Sequence, residues 1–181
     1  MPIHKKILQK EEKVLRKIAA EVHVGEIKSV KIKKVLKEMS AALKSQSDGV
    51  AIAAPQIGYS LRIFVVSGRI FAKDFMQPKE EIENKSEKVP KDVIFINPKI
   101  SKLSRDKEWV PEGCLSVRPL YGKTFRSKKA TVTAYDENGK KFTRGASGLL
   151  AQIFQHETDH LDGILFIDHA QDVKEEALPH K

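Results

Sequence analysis

An α+β fold is what this sequence predicts, and three observations carry the prediction. Helical apolar periodicity appears at Glu12–Val22, at about Ile27–Leu43 and again from about Gly148 to Leu161. Runs rich in branched apolar residues, Leu61–Val66 and Val93–Asn97, read as strands, as do the flanks of a turn at Asp136-Glu137-Asn138-Gly139. The two element types do not alternate regularly, which disfavours a doubly wound parallel sheet.

Each element has its own local reason. In Ile27–Leu43 the residues Ile32, Val35, Leu36, Met39 and Leu43 form one stripe, with Lys31, Lys33, Lys34 and Lys37 largely off it. That is a packing helix with a solvated basic face. Gly49–Gln56 follows as a loop or strand edge, because Pro55 interrupts regular pairing. The stretch 74–91 is charged, carries Pro78 and Pro90, and reads as a long loop. Ala130–Tyr135 and Lys140–Arg144 flank the Asn-Gly turn as a hairpin. After the last helix, Ile164–Ile167 is expected as a short strand, and the polar tail from Gln171 as loose chain.

The 181 residues suffice for one domain with a real core, so a single domain over 1–181 is expected. No apolar run approaches a membrane span, and none follows Met-Pro-Ile-His-Lys-Lys as a secretory signal requires. Glu11 and Glu12 argue against a transit peptide. The lone Cys114 makes no internal disulfide and fits a reducing, cytoplasmic location. The formal charge is +9, from 33 basic and 24 acidic residues. Such a surface is either plainly solvated or drawn to a polyanion. The lysines are spread along the chain rather than interleaved with aromatic residues, which speaks against a dedicated nucleic-acid groove.

The chemistry concentrates in Gln155–Gly163, Gln-His-Glu-Thr-Asp-His-Leu-Asp-Gly. His156 and His160 stand one helical turn apart on one face, where both imidazoles reach one metal ion. Glu157 sits beside the first of them, the His-Glu-x-x-His arrangement in which a metal lowers the pKa of water and a carboxylate takes its proton. Leu149, Ile153, His156 and His160 continue a single stripe that should face inward, whereas Gln155, Thr158 and Asp159 fall on faces that can be wet. Ser147 is placed to cap this helix and Gly163 to end it. A catalytic site needs a third protein ligand, and the cysteine in Pro111-Glu112-Gly113-Cys114-Leu115-Ser116 is a candidate. A lone cysteine is otherwise a small buried hydrophobe, but here a charge and a glycine precede it.

In three of its segments the chain resembles the peptide deformylase family. Gly49–Gln56, Gly-Val-Ala-Ile-Ala-Ala-Pro-Gln, is similar to the family's Gly-x-Gly-x-Ala-Ala-x-Gln; Glu112–Ser116 matches its Glu-Gly-Cys-Leu-Ser; Gln155–Gly163 matches its Gln-His-Glu-x-Asp-His-Leu-x-Gly. Ile7-Leu8-Gln9, Val14-Leu15-Arg16 and Asn97-Pro98 extend the likeness over nearly the whole chain. The resemblance implies antiparallel and mixed sheets packed around a central C-terminal metal-binding helix. It implies a metal-dependent hydrolase that removes the N-formyl group from the initiator methionine of nascent polypeptides and releases formate. It implies Cys114, His156 and His160 as ligands of one divalent ion, Fe2+ by family habit; sulfur with imidazole also suits Zn2+, Ni2+ or Co2+. Glu157 becomes the general base, with the Leu115 N–H and the Gln56 amide as oxyanion donors. Gly49, Val50, Ala51, Gly113, Leu149 and Ile153 become the substrate contacts. A basic surface would then favour encounter with the RNA of the ribosome.

Two positions leave the pattern or test it. Ala51 stands where the family has its second glycine, so alanine either strains a positive φ or narrows the substrate groove. Gln152 puts a polar side chain where an apolar one would grip methionine. Two rivals remain at this level: a zinc peptidase, which ordinarily takes a carboxylate or histidine as third ligand, and a basic RNA-associated protein with an inactive fold.

Overall fold

The computed structural model of the chain describes residues 4–72 and 89–177, so most of the loop expected at 74–91 lies outside the described residues. Five antiparallel strands form one sheet in the order β1-β2-β3-β6-β7, with β1 Ala51–Ala53, β2 Ile63–Val66, β3 Val93–Leu103, β6 Lys129–Tyr135 and β7 Lys141–Ser147. A three-stranded sheet has the order β4-β5-β8, from Lys107–Gly113, Leu120–Ser127 and Gln171–Glu175. Among the described residues two α-helices complete the frame, α1 over Val30–Lys44 and α2 over Gly148–Leu161.

The five-stranded sheet is covered on both faces, which is why β2 reads as the unbroken apolar run Ile-Phe-Val-Val. Ile63 and Val65 point to one side and pack with Ile32, Val35, Leu36, Met39 and Leu43 of α1. Phe64 and Val66 point to the other and pack with Ala151, Phe154 and Leu161 of α2. Phe64 stacks on Phe95 at 4.6 Å between ring centroids, and Phe154 meets Phe95 edge-on at 5.2 Å. Ser29 caps α1 by accepting from the Ile32 N–H, so the helix starts three residues later than its apolar pattern does.

Three expectations are corrected. Glu12–Val22 is not an α-helix: only Lys13–Arg16 makes a 3-10 turn, and the chain then runs extended. A helix would gather its apolar residues on one face, but Leu15, Ala19 and Val22 enter three separate clusters. Tertiary partners satisfy this backbone instead: Ala19 N–H donates to Leu161 O, Ala20 N–H to Ser60 O, and the Asn97 side chain bonds both Val22 N–H and Val22 O. Second, the short strand expected at Ile164–Ile167 is a 3-10 turn at Phe166–Asp168 that buries Leu165 and Phe166. Third, the tail from Gln171 is polar but not loose, because Gln171–Glu175 pairs with β5 as β8.

The β4–β5 hairpin has no counterpart in the periodicity. Its buried inward side chains Glu112, Thr124 and Arg126 are polar, and the half-buried Val110 and the buried Gly122 accompany them, so the alternation that marks a strand shows in burial but hardly in hydrophobicity. Pro111 fits because β4 is an edge strand.

Candidate metal centre

Helix α2 carries the two histidines inward. Ser147 holds its N-cap position, although its side chain makes no capping bond. Gly163, at φ +73°, ends it with a Schellman motif in which Gly163 N–H donates to His160 O and Ile164 N–H to Asp159 O. Strand β4 delivers Cys114 to the same place. Ligand atoms of Cys114, His156 and His160 all lie within 4.8 Å of one another, and Cys114 Sγ is 3.2 Å from His160 Nε2. No other group of this kind occurs among the described residues.

The sulfur and the imidazoles are held from behind. Ser116 N–H donates to Cys114 Sγ at 3.4 Å, and Gln9 Nε2 donates to Leu115 O at 3.0 Å, which braces the turn. His156 Nδ1 bonds Glu112 Oε1 at 2.6 Å, leaving Nε2 for a metal. Glu112 in turn accepts from Arg126 Nη2 at 2.6 Å, Thr124 Oγ1 at 2.7 Å and Gln152 Nε2 at 3.1 Å. Arg126 also donates to Asp159 Oδ2 at 2.7 Å, tying the hairpin to α2. Burial alone would raise the Glu112 pKa, but the bonds from His156 and Arg126 outweigh it and hold the carboxyl well below the usual range. Burial drives the His160 pKa well below its ordinary value, with the neighbouring His156 adding to the effect, so His160 is kept in the neutral form that ligates.

Glu157 lines the same cleft and is 4% exposed. Its Oε2 is buried with no hydrogen-bond partner among the described residues, and the same is true of His160 Nδ1. Burial raises the Glu157 pKa to about 7 against the attraction of His156. An unpartnered buried carboxylate is costly unless something binds to it. A soft sulfur with two imidazoles is a donor set for a divalent transition metal with an open position, so these residues fit the ion expected from the sequence.

The cleft is about 340 Å³ and takes in the other predicted contacts: Gly49, Val50, Ala51, Gln56, Gly113, Leu115, Leu149 and Ile153. Leu149 is 42% exposed, so the stripe begins at the mouth of the cleft rather than in the core. Gln56 is buried; its Oε1 accepts from Ala53 N–H at 2.8 Å, which aims Nε2 toward Ser116 Oγ at 3.0 Å and Cys114 Sγ at 3.7 Å. A Cβ on Gly113 would meet the Tyr121 ring at 2.5 Å, which is the physical reason for glycine there. The strain reading of Ala51 is set aside. Positive φ among the described non-glycine residues belongs to Asn97 and Asp172, and Ala51 pairs regularly with Val66. Gln152 edges the cleft as expected, and its amide also donates to Pro111 O at 2.9 Å and to Glu112. Gln155 was expected on a wet face but is buried, bonding Ser127 N–H and Ser127 O across to β5.

Sequence reasoning passed over Arg126 and Asp159 and gave Glu112 no role. The available signal was the charge of Glu112 directly before a glycine and a candidate ligand, because a buried acid requires a buried cation.

The sequence matches the family model for polypeptide deformylase over residues 4–176. It is 40% identical over 159 residues to peptide deformylase 2 of Clostridium acetobutylicum, covering 87% of this chain and 89% of that one. It is also 40% identical over 157 residues to the chloroplastic/mitochondrial peptide deformylase 1A of Arabidopsis thaliana, covering 86% and 57%. Among solved structures, a peptide deformylase from Legionella pneumophila aligns with TM-score 0.75 at 33% identity, covering 94% of this chain and 88% of that one. One from Synechococcus elongatus in complex with actinonin aligns with TM-score 0.74 at 30% identity, covering 93% and 79%.

Proposed function

We propose, from the premise that this chain belongs to the polypeptide deformylase family and so removes the N-formyl group from nascent polypeptides, a specific division of labour among its residues. Cys114 Sγ, His156 Nε2 and His160 Nε2 hold one divalent ion, Fe2+, within a single catalytic domain spanning the chain. When bound, the ion supplies Lewis acidity, lowering the pKa of water and polarising the formyl carbonyl.

Glu157 accepts a proton from the attacking water and passes it to the departing amide nitrogen. The water oxygen bonds to the formyl carbon, the carbon–nitrogen bond breaks, and formate and a free amino terminus leave. The Gln56 Nε2 and the Leu115 N–H donate to the oxygen that gains charge during attack. Val50 and Ala51 pair with the extended substrate backbone as an added strand, Gly49 and Gly113 lie alongside it, and Leu149 and Ile153 receive the methionine side chain. The observation that carries this reading is the convergence of Cys114, His156 and His160 beside an unpartnered Glu157 oxygen.

The test is chelation followed by reconstitution under exclusion of oxygen, which would otherwise oxidise the Cys114 thiolate. Formate release from a formyl-Met peptide should vanish on metal removal and return best with Fe2+. Equal or better recovery with Zn2+ would replace iron by zinc in this assignment. The charge of +9 fits action at the RNA-rich ribosome in the cytoplasm. Co-sedimentation with ribosomes that falls steeply with added salt is the expected behaviour.

A further inference from the structure

We propose that Trp109 and Phe125 form an outlying contact for the nascent chain, several residues beyond the formyl-methionine. The proposal rests on the proposed function, in which the substrate lies between Val50–Ala51 and Gly113, and extends it: beyond Gly113 the nascent chain follows β4 outward. Trp109 is 46% exposed and Phe125 49%, and their rings sit 5.2 Å apart as opposite partners on β4 and β5. The register puts Trp109, Pro111 and Gly113 on one face of β4, with Phe125 and Tyr121 on the same face of β5. The other face carries the buried Glu112, Thr124 and Arg126 against α2. Pro111, Gly113 and Tyr121 line the catalytic cleft, so the aromatic pair continues the same surface outward from it.

Among the described residues strand β4 is the edge of its sheet, and Trp109 has a cross-strand neighbour on the β5 side alone. A peptide leaving the cleft passes Pro111, whose carbonyl Gln152 already occupies, without pairing there, and brings its side chains next to Trp109 farther along the open side. Strand geometry sets the distance. Trp109 is four residues from Gly113, or about 13 Å. The contact thus falls about four substrate residues beyond the one beside Gly113, a position that a formylated tripeptide does not reach. An extended polypeptide is the occupant of choice because the cleft that opens onto this face belongs to an enzyme of nascent chains. Aromatic faces also accept varied side chains, as a general processing enzyme requires.

Because the chain contains 1 tryptophan, its fluorescence reports on this face alone. The experiment uses the metal-loaded protein with formyl-Met-Ala-Ser and a formylated octapeptide. The octapeptide should change Trp109 emission and the tripeptide should not. Trp109→Ala should lower kcat/KM for the octapeptide by about 2- to 10-fold and leave the tripeptide unchanged; Trp109→Phe should restore most of the loss. A merely structural pair would lower both substrates together through loss of folded protein. Equal losses on the two peptides, no loss on either, or the same fluorescence response to both would overturn the proposal. Wild-type turnover of the tripeptide reports separately on the catalytic reading, since it does not involve this face.

Discussion

The two α-helices press opposite chemistries against the interior. Helix α1 buries Ile32, Val35, Met39 and Leu43, and its partners across the gap are aliphatic side chains of the sheet. Helix α2 starts the same way with Ala151 and Phe154, but its second half buries Gln155, Glu157 and His160. On the same stretch His156 and Asp159 bond Glu112 and Arg126 of the hairpin, and Gln155 bonds Ser127, so directional contacts replace apolar area there. The apolar side is held by area and shape, which tolerate volume-conserving exchange. The polar side is held by a closed chain from His156 through Glu112 and Arg126 to Asp159, in which removing one member strands the next. Metal geometry therefore rests on a few ions that also contribute stability, whereas α1 and the sheet contribute stability without setting that geometry.

The largest expected effect is on turnover alone. Glu157→Ala should keep the metal and lower formate release by about 10²–10⁴-fold, as loss of a general base does. Metal content and rate on the same sample decide it; loss of metal as the main effect would move Glu157 from catalysis to assembly. The sharpest test of the comparison is a pair of stability measurements. Arg126→Met leaves Glu112 buried with one cation fewer and should cost about 3–5 kcal/mol together with a loss of metal affinity. Met39→Ala should cost about 2–5 kcal/mol by opening a cavity, with metal affinity unchanged in the folded protein. Loss of metal binding in folded Met39→Ala would erase the separation drawn above.

Gln56→Ala should lower kcat with the metal retained, by about 2.7–4 kcal/mol in barrier if its amide engages the oxyanion fully. A change confined to KM would place Gln56 in uniform substrate binding instead. The smallest effect concerns Ala51. Since its backbone is ordinary extended strand, Ala51→Gly should lose roughly 0.5–1 kcal/mol of stability through chain entropy while lowering KM for formyl-Met peptides. Thermal unfolding and steady-state kinetics on one preparation check both signs, and a gain in stability would restore the strain explanation.

Local signals were strong where one element contains its own reason. The α2 boundaries at Gly148 and Leu161, the hairpin about Asp136–Gly139 and the α1 stripe were legible because periodicity, turn residues and caps act over a few positions. The Cys114, His156 and His160 cluster was legible because metal chemistry restricts residue type as well as spacing. Glu12–Val22 misled because its periodicity is real but serves three clusters at once, and Asn97 and Ser60 accept or supply the backbone bonds that a helix would have made internally.

What the sequence by itself determined is the candidate set of groups: a cysteine, two histidines one turn apart and a carboxylate beside them, together with the helix that carries three of the four. What only the tertiary structure decided is how these are held. Strand β4 brings Cys114 to within 3.2 Å of a histidine 46 positions later, and the Glu112–Arg126–Asp159 chain that orients His156 joins residues from β4, β5 and α2. Such a network leaves no hydrophobic period in any one segment, because its buried face is made of charges that become stable only when the opposite charge arrives from another strand.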